Sequence, residues 1–225
     1  MSFFKPLWAY SLKCMAGEEE GAFAKAWLGL LDGLSRLYGA AVKFRAILGL
    51  STPRRLPCPV ISIGNIAVGG TGKTSFVEML AKRLLDRGMK PLILLRGYRG
   101  KAKVPLVVSD GVDVLAKPPI AGDEAYLLAM KLPGVPVVTG ADRYLTGSSA
   151  LARFRSDVLL LDDGFQHRRL HRDLDIVLLD GRNPFGYGYL LPRGLLREPP
   201  EALKRADLVA ITTDEPMASV PAQLA

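Results

Sequence analysis

Apolar residues in this chain fall into two kinds of run. The first is helical. From Ala22 to Leu48, Phe23, Trp27, Leu30, Leu31, Leu34, Leu37, Tyr38, Val42, Phe44 and Ile47 recur at helical spacing, with Lys25, Arg36, Lys43 and Arg45 interspersed. Gly29, Gly33 and Gly39 weaken this stretch as an isolated helix. Phe3, Phe4, Leu7, Trp8 and Tyr10 precede it, followed by acidic Glu18, Glu19 and Glu20. The second kind is the short buried strand. The stretch from Ile61 to Thr74 reads as a strand, a glycine-rich turn and a helix start. Further strands are predicted at Pro91–Leu95, Val104–Ser109, Val135–Thr139, Val158–Asp162, Asp175–Asp180 and Leu208–Thr212. Helices are predicted between them at Thr74–Arg87, Gly122–Leu132 and Arg143–Arg155, with Gly88 as a C-terminal signal. Strands alternating with helices imply an α/β fold, a mostly parallel sheet with helices on both faces. The segment Ser51–Pro59 holds three prolines and reads as a linker. It divides an N-terminal amphipathic helical segment, 1–50, from a domain at 51–225.

Composition narrows the partners. At 225 residues and 49% apolar content the chain can bury a substantial core. A net charge of +8 points to an anionic partner: nucleotide, membrane surface or nucleic acid. No RNA- or DNA-binding motif accompanies the charge, so nucleic acid is not expected. Cys14 and Cys58 have neither metal-ligand spacing nor a disulfide framework. Charged residues interrupt the N-terminal apolar run, so no signal peptide is read, and no apolar run reaches membrane-spanning length. Aromatic and basic residues between 1 and 50 suit an interfacial helix on an anionic membrane. A helix packed on the domain core, with solvated basic residues, fits the same pattern. No feature signals an oligomer, and a monomer is expected.

The glycine-rich turn carries the sharpest chemistry. Ala67, Val68, Gly69, Gly70, Thr71, Gly72, Lys73 and Thr74 match the phosphate-binding loop G-x-x-x-x-G-K-[ST], with Ala67 in place of the first glycine. The glycines let successive backbone N–H groups face an anion, and the following helix adds its positive end. Lys73 can reach the β- and γ-phosphates of ATP, and the Thr74 hydroxyl can ligate Mg²⁺. The fold is therefore expected to be P-loop NTPase-like. The strand ending in Asp162 and Asp163 has the form of the acidic strand that holds Mg²⁺ in such enzymes. Asp123 and Glu124 open a helix. They fit a dipole complement and a proton-accepting or metal-supporting pair equally well. Arg143 and the pair Arg96 and Arg99 offer guanidinium groups for phosphate charge. His167 and His171 lie in a basic run read as a surface turn, with a histidine base as the alternative. The run from Asn183 to Pro199 is a long, irregular, apolar-and-basic loop of the kind that carries function.

Together these motifs resemble a known family. Gly64-Asn65, the run Val68–Thr74, Arg96-Gly-Tyr-Arg99, Gly122-Asp-Glu-Ala125, Asp142-Arg143, Leu161-Asp-Asp-Gly-Phe-Gln-His167 and the run Leu190–Pro199 look like the tetraacyldisaccharide 4′-kinases of lipid A synthesis. The resemblance covers about Leu7 to Thr212. It implies ATP-dependent phosphorylation of the 4′-hydroxyl of a tetraacylated glucosamine disaccharide 1-phosphate, at the cytoplasmic face of the bacterial inner membrane. It implies Lys73 and Thr74 on phosphates and Mg²⁺, Asp123 as catalytic base, Glu124 at the metal site, Arg143 on phosphates, and Asp162 and Asp163 as the metal strand. Members of that family continue past the last strand into a smaller C-terminal lobe, whose histidine pairs with the catalytic aspartate. The expectation is that this lobe is missing here, since neither His167 nor His171 stands in that position. The second reading is then a nucleotide- or lipid-binding protein of the same ancestry with weak catalysis. Arg193 also departs from the family, standing where the loop is expected to carry a small residue.

Overall fold

The computed structural model describes residues 4–48, 52–97 and 105–213. Two helices come first, α1 (Phe4–Ala16) and α2 (Ala22–Leu48). The single helix expected from the pattern is thus the second of two, broken by the turn around Gly17 and Gly21, both at positive φ. Pro6 does not prevent α1, because it stands in the first turn, where a helix does not need its N–H. Trp27 Nε1 donates to Ser11 Oγ at 3.1 Å, and the Tyr10 and Phe23 rings meet at 5.9 Å. The helix pair still leaves Leu7, Trp8, Phe23, Leu30, Leu34, Leu37 and Phe44 exposed. Among the described residues no helix is long and apolar enough to cross a membrane.

The remaining elements are β1 (Val60–Gly64), α3 (Lys73–Leu85), β2 (Pro91–Leu95), β3 (Leu106–Asp110), α4 (Asp123–Lys131), β4 (Pro136–Thr139), α5 (Arg143–Arg153), β5 (Val158–Asp162), β6 (Leu174–Asp180) and β7 (Leu208–Thr212). Short 3₁₀ helices fall at Gly186–Gly188 and Pro200–Arg205. The strands form one sheet in the order β3-β4-β2-β5-β1-β6-β7. Every pairing is parallel except β3 with β4, so the sheet is mixed only at that edge.

Strand alternation sorts the core into two layers. Ile63, Ile93 and Leu160 face α3 and α4 through Val77, Ala81 and Leu128. Val60, Leu92, Leu94, Leu159 and Leu161 face α5 through Ala150. On that second side, Val177 and Leu179 of β6 pack with Phe165, Leu195 and Leu196. Helices thus cover both faces, as the alternation implied. α2 docks on this side through the loop after β6. Ser35 Oγ donates to the Leu190 carbonyl at 2.9 Å, and Tyr38 Oη to the Arg197 carbonyl at 3.0 Å.

Candidate active site

The parallel strands end together along one edge of the sheet, where α/β folds bind ligands. β1 leads there into the glycine-rich loop, β5 ends in Asp162, β2 leads to Arg96, β4 to Arg143, and β6 ends in Asp180. Arg99 of the predicted arginine pair lies outside the described residues.

Two glycines shape this edge. Gly72, at φ 70, turns the loop into α3 as its N-cap, without a side-chain cap, so the first backbone N–H groups of the helix stay available. Gly64 lets β1 approach the turn after β5. A Cβ there would stand 2.5 Å from Phe165 Cβ and 2.9 Å from its backbone nitrogen. Buried Asn65 donates through Nδ2 to Thr71 Oγ1 at 3.1 Å, fixing the far end of the loop to the strand. Gln166 Nε2 donates to the Asn65 carbonyl at 2.8 Å. The loop after β6 closes over the same point: Val68 N–H donates to the Leu195 carbonyl and Arg197 N–H to the Ile66 carbonyl, both at 2.7 Å.

Charges converge at this mouth. Lys73 Nζ lies 3.7 Å from Asp163 Oδ1. Arg197 Nη1 donates to both Asp163 oxygens, at 2.9 and 3.0 Å. Asp163 holds a left-handed backbone, φ 54, that turns its carboxylate towards these two cations. Burial lowers the Lys73 ammonium below the usual lysine range, although Asp163 opposes the shift. Asp162 is 3% exposed, and its Oδ1 has no hydrogen-bond partner. Burial first, then the charges of Asp163 and Glu124, push its carboxyl up to about 7. Glu124 and Asp123 are exposed in the first turn of α4. Arg143 is 4% exposed and spends Nη1 on the carbonyls of Gly140 and Ala141, at 3.3 and 2.9 Å. Burial and the neighbouring Arg96 lower it to about 10, so it is charged at neutral pH. Thr74 is half-buried in the first turn of α3.

These residues fit a magnesium-bound nucleotide. A buried carboxylate with an orphaned oxygen, raised to about 7, lacks a cation. The buried Arg143, lowered by burial and by Arg96, leaves its Nε without a hydrogen-bond partner. Among the described residues no group of three or more His, Cys, Asp or Glu forms a preformed metal cage. Mg²⁺ takes one or two carboxylates and completes its shell from phosphates and water, so it needs no such cage.

Sequence reasoning gathered Lys73, Thr74, Asp162, Asp163, Glu124 and Arg143 along this edge. It assigned no role to Arg197, the partner of Asp163, or to Asn65 and Gln166. Arg197 and Asp163 stand 34 residues apart in different loops, so no periodicity links them. The signals were that Arg197 lies in the long basic loop and that all three residues stand in the strings that carry the family resemblance. His167 is half-buried rather than a solvated turn residue. Burial and the Arg143 charge lower it to about 4, so it is neutral. His171 Nε2 lies 3.3 Å from Asp173 Oδ1. Arg193 stacks over the Tyr189 ring at 4.2 Å.

The Asp162 shift gives a pH signature. The folded chain holds a proton up to about 7 that the unfolded chain releases near 3.8. The stability this gives is fully present below 3.8 and lost as pH rises through 7. His167 acts in the opposite sense: its contribution is present above 6.5 and lost as pH falls towards 4. Comparing Asp162→Asn with the wild type isolates the first effect. In ligand-free thermal melts the variant is expected to gain on the wild type from about pH 5 to about pH 8. A gap independent of pH would contradict the assignment of Asp162 as a buried, unpaired carboxyl.

Comparisons with known proteins bear on the family and the fold. A family model described as tetraacyldisaccharide-1-P 4'-kinase matches residues 27–224. The tetraacyldisaccharide 4'-kinase of Syntrophus aciditrophicus is 59% identical over 70% of this chain and 43% of its own length. That of Geobacter sulfurreducens is 48% identical over 89% of this chain and 58% of its own. The chain therefore spans about half the length of these relatives. Among solved structures, LpxK from Aquifex aeolicus, an "apo" form in complex with ATP, superposes with a TM-score of 0.75 at 46% identity. The match covers 80% of this chain and 57% of that one.

Proposed function

The chain belongs to the tetraacyldisaccharide-1-P 4'-kinase family, and on that premise we propose that it transfers the γ-phosphoryl group of ATP to the 4′-hydroxyl of a tetraacylated glucosamine disaccharide 1-phosphate. One observation carries the reading: the buried carboxylate of Asp162, with one oxygen unpartnered, lies beside Asp163 and Lys73 at the mouth of a glycine-rich loop. In this reading the backbone N–H groups of residues 67–74 and the start of α3 bind the phosphates. Lys73 reaches the transferred group. Thr74, Asp162 and Asp163 hold Mg²⁺, and Glu124 supports them. A metal held there would supply positive charge against the phosphates. Arg197 fixes the Asp163 carboxylate, and Arg143 offsets phosphate charge from the β4 side. Asp123 accepts the proton of the acceptor hydroxyl; its exposed position at the start of α4 lets an acceptor arrive from solvent.

The exposed aromatic and aliphatic residues of α1 and α2 support a membrane-resting role for residues 1–50. The domain at 51–225 would then work as a monomer at the cytoplasmic face of the inner membrane, where an acylated acceptor resides.

The test is transfer of radiolabelled phosphate from ATP to the disaccharide acceptor in detergent micelles. Transfer by this chain is expected. ATP binding without transfer would contradict the kinase reading. Asp123→Ala is expected to lower turnover by about 100-fold or more with ATP affinity unchanged, because a base acts on the acceptor side. A parallel loss of ATP affinity would contradict that role.

A further inference from the structure

The turn that follows the acids of β5 is held by a side chain to which the proposed chemistry gives no part. Asp163 opens the turn at φ 54, and Gly164 N–H donates to the Ile63 carbonyl at 3.1 Å. His167 N–H closes it on the Gly164 carbonyl at 2.8 Å. The exit of the turn then meets Arg172. Its Nη1 donates to the His167 carbonyl and its Nε to Asp175 Oδ2, both at 2.8 Å. Asp175 lies in β6, and its own N–H donates to Oδ2 of Asp207, just before β7, at 2.8 Å. One guanidinium thus ties the turn to the β6–β7 side of the sheet.

Building on the proposal that Asp162 and Asp163 hold a divalent cation, we infer that Arg172 is a positioning residue for these acids, acting through the turn at 163–167. Arg197 holds the Asp163 carboxylate, and Arg172 holds the backbone on which that carboxylate stands. A left-handed aspartate is kept in place by what surrounds it. The start of the turn is fixed by packing: a Cβ on Gly164 would stand 2.5 Å from Ser62 Oγ. Its middle is fixed by the bond from Gln166 to the Asn65 carbonyl. The exit is left to Arg172.

The pair that Arg172 makes suits geometry better than stability. The side chains of Arg172 and Asp175 are 11% and 7% exposed. A buried ion pair adds little over apolar groups of the same volume. What the planar guanidinium supplies is a fork that joins acceptors from two segments, which a lysine ammonium does not reproduce. Farther along, the chain has a second anchor. Arg54 N–H donates to the Arg169 carbonyl and His171 N–H to the Arg54 carbonyl, both at 2.9 Å. Loss of Arg172 should therefore leave this segment in place and loosen the turn that precedes it.

The experiment is calorimetric titration of the full chain with inorganic tripolyphosphate, once with Mg²⁺ and once with EDTA, well below the melting temperature. Metal-free tripolyphosphate reads the glycine-rich loop and Lys73, and the magnesium form also reads the acids. Arg172→Lys keeps a cation beside Asp175 and gives up the fork. It is expected to weaken the magnesium form about 10- to 100-fold and to leave the metal-free form unchanged. The double variant Arg172→Gln, Asp175→Asn leaves no unpaired buried charge, so its melting temperature should stay within a few degrees of wild type. The same metal-specific loss is expected of it. Wild-type affinity for the magnesium form in the double variant would overturn the inference, as would equal losses of both forms, which mark a role in stability alone. A wild-type chain that binds tripolyphosphate equally with and without Mg²⁺ would remove the metal site itself, and the inference with it.

Discussion

Lys73→Ala is expected to lower phosphoryl transfer by about 100- to 1,000-fold while leaving liposome binding unchanged. The two halves of this result have separate causes. In the proposed reading Lys73 is the cation that meets the transferred phosphate, and its burial raises the strength of any charge interaction it makes. Its partner in the ligand-free chain is Asp163, at 3.7 Å. An incoming phosphate competes for the ammonium while Arg197 keeps the carboxylate in place. Alanine removes the cation and leaves the Arg197–Asp163 pair whole, so the fold should survive. Liposome binding is assigned to α1 and α2, and α2 docks through Ser35, Tyr38 and the loop after β6, not through Lys73. Transfer measured at equal protein and vesicle concentration checks the first half, and co-sedimentation the second. Undiminished transfer would mean that phosphate is bound elsewhere.

Gly64→Ala is expected to destabilise the chain and weaken nucleotide binding together. The added Cβ would meet Phe165 Cβ at 2.5 Å and Phe165 N at 2.9 Å. Phe165 is fully buried in the cluster with Ile66, Val177 and Leu196, so neither ring nor backbone can move cheaply. Overpacking of this kind costs about 1–3 kcal/mol, and each kcal/mol lowers the melting temperature by about 2–4 °C in a domain of this size. The relief available is to spread β1 from the turn after β5. That would separate the loop at 67–74 from Asp162 and Asp163. Gly33→Ala is the control: nothing lies within 4 Å of its added Cβ, and alanine favours the helix there. Calorimetric melts and ATP titration of both variants provide the check. An unaltered melting point in Gly64→Ala would contradict the close approach.

The comparison of chain and fold separates what is local from what is not. β2, β5 and α2 were legible to their end residues, because a buried parallel strand is a short apolar run and a long helix repeats its own period; β7 was legible as a short apolar run although Leu208 and Val209 are exposed. The glycine-rich loop was legible because its chemistry is contiguous. α1 was not assigned as a separate helix, since its short run and Pro6 in its first turn make a weak signal and its packing on α2 supplies the rest. The antiparallel edge strand β3 carries no mark of its direction in its residues. The partners that complete the site were the least legible. The Arg197–Asp163 pair and the Gln166–Asn65 bond join segments distant in the chain, and only the folded sheet brings them together.

One structural link joins the N-terminal helices to the chemistry. Tyr38 of α2 donates to the carbonyl of Arg197, whose guanidinium holds Asp163. The helix assigned to the membrane surface therefore rests on the residue that positions an acid of the site.

The central claim is that the loop at 67–74 and the acids of β5 grip one metal-bound triphosphate. A crystal grown with a non-hydrolysable ATP analogue and Mn²⁺ tests it most directly, through the anomalous signal of the metal. The expected result is a manganese peak between Thr74, Asp162 and Asp163, with the phosphates along the loop backbone and Lys73 at the terminal one. A metal and triphosphate lodged away from both the loop and the acidic strand end would contradict the account.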